Sequence, residues 1–177
     1  MLPLILVLAT CAALLIAVAA AMPFLGREKA RLATCRANEK SLATATLMYA
    51  ADHSGVLPPS ARWDDAILPY AKNSNVFICP SAGNRGNWPP GYAFNSHLDD
   101  VREVSAMPVP AVCPILWDST TLVANAADGG TSLAMRHRGG ANVAFADGQV
   151  KWLDSAARLT FDPMSAERDD AADAPSR

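Results

Sequence analysis

The side chains that could do chemistry are few: His53, His97 and His137; Cys11, Cys35, Cys79 and Cys113; and the acidic pairs Asp64-Asp65 and Asp99-Asp100. Their spacing matches no common catalytic pattern. The sequence holds no HExxH, no GxSxG and no glycine-rich loop of the phosphate-cradling type. Each acidic pair reads as part of a solvated loop. With no motif to supply a mechanism, a protein that is not an enzyme and carries no cofactor is expected.

One constellation has the composition of a ligand site. Nine residues separate His137 from Asp147-Gly148, with Gly139, Gly140 and Asn142 between them, and Asp118 ends an apolar run upstream. Read for function, Asp118, His137, Asn142 and Asp147 would hold a cation or ligand. Read for structure, Asp147-Gly148 makes a turn, the glycines let the chain bend, and His137 and Asn142 bond backbone groups of a neighbouring loop. The structural reading is favoured, because one imidazole among hard oxygens is not a typical calcium set. Asp118, His137 and Asp147 remain the metal candidates, and no metal is expected. Cysteine spacing adds none: there is no CxxC pair, so zinc is not indicated. Cys11 lies in an apolar run, which leaves an odd three. Outside the cytoplasm, the natural reading of three is one disulfide and one free thiol.

Chain length and charge narrow the rest. The 177 residues carry a net charge of −2. No basic block lies in the region after His53, so nucleic-acid binding has little electrostatic support. The length left after the apolar start and the polar end suits one modest domain.

The elements that must position these residues begin with an apolar stretch. Leu2 to Gly26 contains no charged side chain. As a helix it would reach roughly 37 Å, against a hydrocarbon core of about 30 Å. A cleaved secretory signal and a lipoprotein signal ending at Cys11 are the competing readings. Both fit less well than an uncleaved transmembrane helix: no Lys or Arg precedes the run, and the run continues well past Cys11. Residues 1–26 are therefore expected to span a membrane. Pro23 would kink the helix rather than end it, because helix formers resume at once. Residues 27–53 continue it with one apolar face, carried by Leu42, Ala45 and Tyr49 beside Ala43, Leu47 and Ala50. That face is expected to pack on the domain that follows, residues 54–162. Arg27, Lys29, Arg31, Arg36 and Lys40 all follow the span, so the positive-inside rule alone puts that domain in the cytoplasm.

In this domain, Ala61–Ala71 reads as a short helix, Val76–Cys79 as a short strand, Tyr92–Asn95 as an edge strand and Ile115–Trp117 as a buried strand. Ala141–Leu153 reads as a hairpin turning at Asp147-Gly148, with Val150 and Trp152 on one side. Residues 163–177 are polar and read as a disordered tail. The fold class is α+β, a long helix against a small antiparallel sheet.

Three stretches carry a family resemblance: 27–59 (REKARLATCRANEKSLATATLMYAADHSGVLPP), 68–82 (LPYAKNSNVFICPSA) and 136–153 (RHRGGANVAFADGQVKWL). Together they resemble the pseudopilin-like proteins of bacterial type II secretion that carry a His-nine-Asp-Gly signature. The resemblance runs from the apolar segment to Leu153. It implies a pilin-like fold: a helix with its first half in the inner membrane or a filament core, and a head facing the periplasm or cell exterior. Like pilin or pseudopilin subunits would be its partners. It also implies that Cys35 and Cys79 occupy the recurring cysteine positions and pair if a disulfide forms, leaving Cys113. Aligned on Pro23, Leu6 stands where relatives carry a glutamate that helps subunits dock. The alternative expectation is a membrane-tethered extracytoplasmic module that binds a polymer or a cation and forms no filament.

Overall fold

The computed structural model describes residues 2–83, 89–101, 103–156 and 159–164; the side chains of 2, 4, 5, 8, 9 and 19–25 are not among those described. One helix dominates. α1 runs unbroken from Leu2 to Asp52, 51 residues, and passes through Pro23 without ending there. The side chain of Pro23, and with it the expected kink, lies outside the described residues. Among the described residues, no helix is long and apolar enough to cross a membrane.

The second half of α1 is where the core begins. Cys35, Glu39, Leu42, Ala43, Ala45, Thr46 and Ala50 are buried, while Tyr49 and Leu47 are half-buried. This is the apolar face expected from helical spacing, extended back by two turns through Glu39 to Cys35. The helix stops where Ser54 takes a left-handed φ of 56° and the Gly55 N–H returns to the Ala50 carbonyl at 2.7 Å. That bond satisfies a carbonyl left open at the helix end. α2, Trp63–Ala71, follows a 3₁₀ turn at Ser60–Arg62 and packs against α1. A single-turn helix, α3, spans Leu98–Val101.

Five strands form the sheet: β1 Tyr92–Asn95, β2 Pro114–Asp118, β3 Ala127–Asp128, β4 Ala141–Phe145 and β5 Val150–Leu153, in the order β3-β1-β2-β4-β5. The sheet is mixed, not purely antiparallel as the sequence suggested. β1–β2, β2–β4 and β4–β5 are antiparallel, but β3 pairs with β1 in parallel. The chain leaving β2 crosses to the far side of β1 and lies down in the direction of β1. This also corrects the place of β1. It lies between β3 and β2, buried at every residue, and is not an edge. Val76–Cys79 is no strand either. The Asn73 side chain accepts the Asn75 N–H at 3.0 Å and starts a 3₁₀ turn, Ser74–Phe77. After it, Ile78 forms an isolated antiparallel bridge with Pro90.

Alternation along the strands builds a core on both faces of the sheet. Tyr92, Phe94, Leu116, Ala144 and Val150 join the core with Leu42, Trp63 and Ile67. Ala93, Trp117, Val143 and Phe145 point the other way, under Leu133, Leu159 and Phe161. Trp63 stacks on Phe94 at 5.7 Å and donates its indole N–H to the Ala126 carbonyl at 2.9 Å. One aromatic thus ties α2 to β1 and to the start of β3.

The β4–β5 hairpin forms in the expected place with a longer turn. Gly148 N–H bonds the Phe145 carbonyl at 2.8 Å, Gly148 takes φ 79°, and the first strand pair is Ala144 with Val150. The loop is therefore wider than the two residues Asp147-Gly148. Val150 is buried against the core, while Trp152 is 41% exposed at the far end of the same strand. Beyond residue 164, the expected disordered tail lies outside the described residues.

Candidate functional site

The site begins as a row of polar residues at one end of the sheet. Tyr92 on β1 stands opposite Asp118 on β2, and the next strand contributes Asn142. These three share the sheet face that carries Phe94, Leu116 and Ala144, the face covered by α1. Asp118, Asn142 and Tyr92 are all buried. Buried polar groups must be hydrogen-bonded or carry a penalty, and most of this row is. Asp118 Oδ2 accepts from the Asn142 backbone N–H at 2.8 Å, from Asn142 Nδ2 at 3.0 Å and from His137 Nε2 at 3.1 Å. The Tyr92 hydroxyl donates to the Cys35 carbonyl on α1 at 3.1 Å.

His137 is delivered by a tight turn. His137 and Gly140 exchange backbone hydrogen bonds at 2.8 and 3.1 Å, and the two residues between them, Arg138 and Gly139, both have positive φ, 56° and 81°. Two consecutive positive φ values make a primed turn, which Gly accommodates without strain. Gly140 serves a different need. A Cβ there would collide with the Trp152 indole, which covers it and donates its N–H to the His137 carbonyl at 2.8 Å.

Two thiols complete the cluster. Cys35, on α1, and Cys79, after the 3₁₀ turn, are buried free thiols with Sγ–Sγ 2.6 Å. Cys79 Sγ also lies 3.7 Å from Asp118 Oδ1 and 4.0 Å from His137 Nε2. Gly91 lets Cys79 come this close, since a Cβ on Gly91 would meet the Cys79 side chain. Glu39, one helical turn after Cys35, is fully buried, and neither of its carboxyl oxygens has a hydrogen-bond partner among the described residues.

The electrostatics follow from burial and crowding of acidic groups. Burial pushes the Glu39 carboxyl well above the usual carboxylate range, and the charges of Asp118 and Cys79 push further the same way. Burial lowers the His137 imidazole, but its hydrogen bonds to Asp118 and Cys79 outweigh this and raise it to about 9. The thiols split. The hydrogen bond between them lowers Cys35 and raises Cys79, so Cys35 is the first to become a thiolate and Cys79 keeps its proton. Cys113 stands apart, pushed up to about 12 chiefly by burial.

The structure sorts the residues singled out from sequence. It brings Asp118, His137 and Asn142 together. It leaves Asp147 out: that residue is exposed, and its Oδ1 accepts the Gln149 N–H at 2.9 Å inside the turn. Asp147 and Gly148 shape the hairpin, and the hairpin docks on α1. Lys40 Nζ donates to the Gly148 carbonyl, and Arg36 Nη2 donates to the Val150 carbonyl at 3.1 Å. The acidic pairs also hold loops. Asp64 Oδ2 accepts the Asn125 N–H at 2.7 Å, and Asp99 Oδ1 accepts the Ser60 N–H at 3.0 Å. Sequence reasoning missed Glu39. Its signal was spacing: positions 35, 39, 42, 43, 46 and 50 share the buried face, and a carboxylate sits among them. Comparison with protein-family models, curated proteins and solved structures finds no match to this chain.

Proposed function

We propose that the chain is a pilin-like structural subunit. The first half of α1 anchors it in the inner membrane, the head stands in the periplasm, and the helix joins like pseudopilin helices in a type II secretion or pilus-like assembly. The observation that carries this reading is the division of labour along α1. From Cys35 to Ala50 the helix is part of the core. From Cys11 to Val18 every residue is exposed. Leu14, Leu15 and Ile16 are 67, 71 and 70% exposed, and Leu6, Val7 and Val18 are also open. An exposed apolar surface of this kind marks a membrane or protein contact. Covering one such side chain is worth about 1.5–3 kcal/mol. The six together are worth on the order of 10 kcal/mol, as much as a typical domain's stability. A 51-residue helix packed into the head from Cys35 to Ala50, with exposed apolar side chains between Leu6 and Val18, is suited to bundling with copies of itself. The family resemblance of 27–59, 68–82 and 136–153 supports the same reading.

Alkaline carbonate extraction and protease accessibility test it together. The full chain should remain in the membrane pellet, and the head should be cleaved in spheroplasts but protected in intact cells. Release into the carbonate supernatant, or a head protected in spheroplasts, would overturn the anchored, periplasmic reading.

A further inference from the structure

We propose that Cys35, Cys79, His137 and Asp118 form a binding site for a divalent cation of the zinc class, closed between α1 and the end of the sheet. This goes beyond the assembly reading and does not depend on it. Among the described residues, Cys35 Sγ, Cys79 Sγ and His137 Nε2 are the group of metal-ligating atoms that lie within 4.8 Å of one another, and all three residues are buried. Asp118 lies outside that group but beside Cys79 and His137, placed to move in as the fourth donor. Its Oδ2 is taken up by Asn142 and His137, while Oδ1 faces the Cys79 sulfur at 3.7 Å. Two thiolates, an imidazole and one carboxylate are a four-donor set that suits zinc and not calcium or magnesium. Four separate segments converge to make it: the helix, the loop after the 3₁₀ turn, the end of β2 and the primed turn.

A second observation points at the same place. Among the described residues, the Asn142 Oδ1 is buried and unpartnered, and the fully buried Glu39 carboxyl makes no hydrogen bond of good geometry, only a weaker approach to the Ala144 backbone. Asp118 and Cys79 both act on the Glu39 carboxyl, so it lies beside the cluster. A disulfide between Cys35 and Cys79 would satisfy the sulfurs and leave these oxygens as they are. A dication satisfies the thiolates, gives the Asp118 carboxylate a positive neighbour and leaves the neutral Glu39 carboxyl as a polar neighbour of the site. The outer contacts are those a metal centre needs: Asn142 fixes the Asp118 carboxylate, and the Tyr92 hydroxyl holds the Cys35 backbone. Two sulfurs bonded to one tetrahedral zinc at about 2.3 Å sit about 3.8 Å apart. Cys35 and Cys79, at 2.6 Å, therefore open by about 1 Å when the ion enters. Protons balance by release to solvent: one from each neutral thiol and one from the His137 imidazolium, whose Nε2 lone pair then faces the ion.

The test uses the reduced full-length chain in detergent micelles, titrated with cobalt(II) chloride. The expected result is saturation at one equivalent, with a thiolate-to-cobalt band in the near ultraviolet and intense visible bands of tetrahedral cobalt, all bleached by zinc chloride. The bands should vanish in Cys79→Ser and His137→Gln and persist in the Cys11→Ser/Cys113→Ser double variant. Metal analysis and thiol counting on the wild-type chain, isolated without reductant or chelator, do not depend on any variant folding. They should give one zinc per chain and no Cys35–Cys79 disulfide. Absence of the cobalt bands in the wild type, their survival in Cys79→Ser, or isolation of a metal-free chain with the disulfide formed would each overturn the proposal.

Discussion

Glu39 offers the sharpest quantitative expectation. Its carboxyl is fully buried and, among the described residues, has no hydrogen bond of good geometry; burial, Asp118 and Cys79 outweigh the opposing pull of the Ala144 backbone and Arg136 and hold its pKa well above the ordinary value of 4.5. In the unfolded chain the carboxyl ionises near that ordinary value. Between the two pKa values the folded state binds a proton that the unfolded state has released. Stability therefore falls as pH rises through this window, by up to about 1.4 kcal/mol per pH unit. Glu39→Gln keeps the shape of the side chain and removes the titration. Relative to wild type, the variant should be nearly unchanged at pH 4.5 and gain progressively above it, until the raised folded-state pKa is passed. The assay is urea unfolding followed by tryptophan fluorescence, since Trp63 and Trp117 are buried, on reduced chain with chelator present. The difference between variant and wild type cancels other titrating groups, His137 included. Parallel pH curves for the two proteins would refute the reasoning, because they would mean that Glu39 ionises in place with a partner.

Three further outcomes follow from the packing and the polar row. Leu42→Ala opens a cavity between α1 and the sheet and should cost about 2–5 kcal/mol in urea unfolding; Met48→Ala, 44% exposed on the same helix, should stay within about 0.5 kcal/mol. Gly140→Ala drives a methyl group into the Trp152 ring and the Leu153 carbonyl, and should lose about 1–3 kcal/mol, with the Trp152 fluorescence shifted as its ring is displaced. Asp118→Asn removes the carboxylate that raises His137, so the imidazole titration, read by NMR on metal-free chain, should fall from about 9 toward its ordinary value; an unchanged titration would mean that Asp118 is not its counter-charge. The sign in wild type is that of a raised base. The His137–Asp118 pair contributes fully below pH 6.5 and its contribution is lost as pH rises through about 9.

Local signals in the sequence reached as far as local physics does. The apolar face of α1 was legible because Leu42, Ala45 and Tyr49 recur at helical spacing. The β4–β5 hairpin was legible because Asp147-Gly148 interrupts two alternating runs. The turn proved longer because Gly148, not Asp147, carries the left-handed conformation. Partners across the sheet were not legible. Tyr92–Asn95 alternates too weakly to reveal two neighbours, and Ala127–Asp128 has no strand character of its own until β1 provides its hydrogen bonds. In the site, His137, Asn142, Asp118 and the two cysteines were visible as residue types, and the pairing of Cys35 with Cys79 entered only through the family resemblance. Their convergence was hidden because it needs the helix, a loop, a strand end and a turn to meet. Glu39 was hidden because a charge in a polar helix reads as solvated unless its register with Cys35 and Leu42 is followed.

The proposal stands on the exposed apolar side chains of α1, Leu6, Val7, Leu14, Leu15, Ile16 and Val18, acting as an assembly surface. Photo-cross-linking from position 15, where Leu15 is 71% exposed, tests it most directly in membranes of cells expressing the full chain. The expected result is a ladder of covalent multimers, with mass spectrometry placing the bonds between α1 segments of separate copies or of like helical subunits. Cross-links to lipid alone, with the chain remaining monomeric, would contradict it.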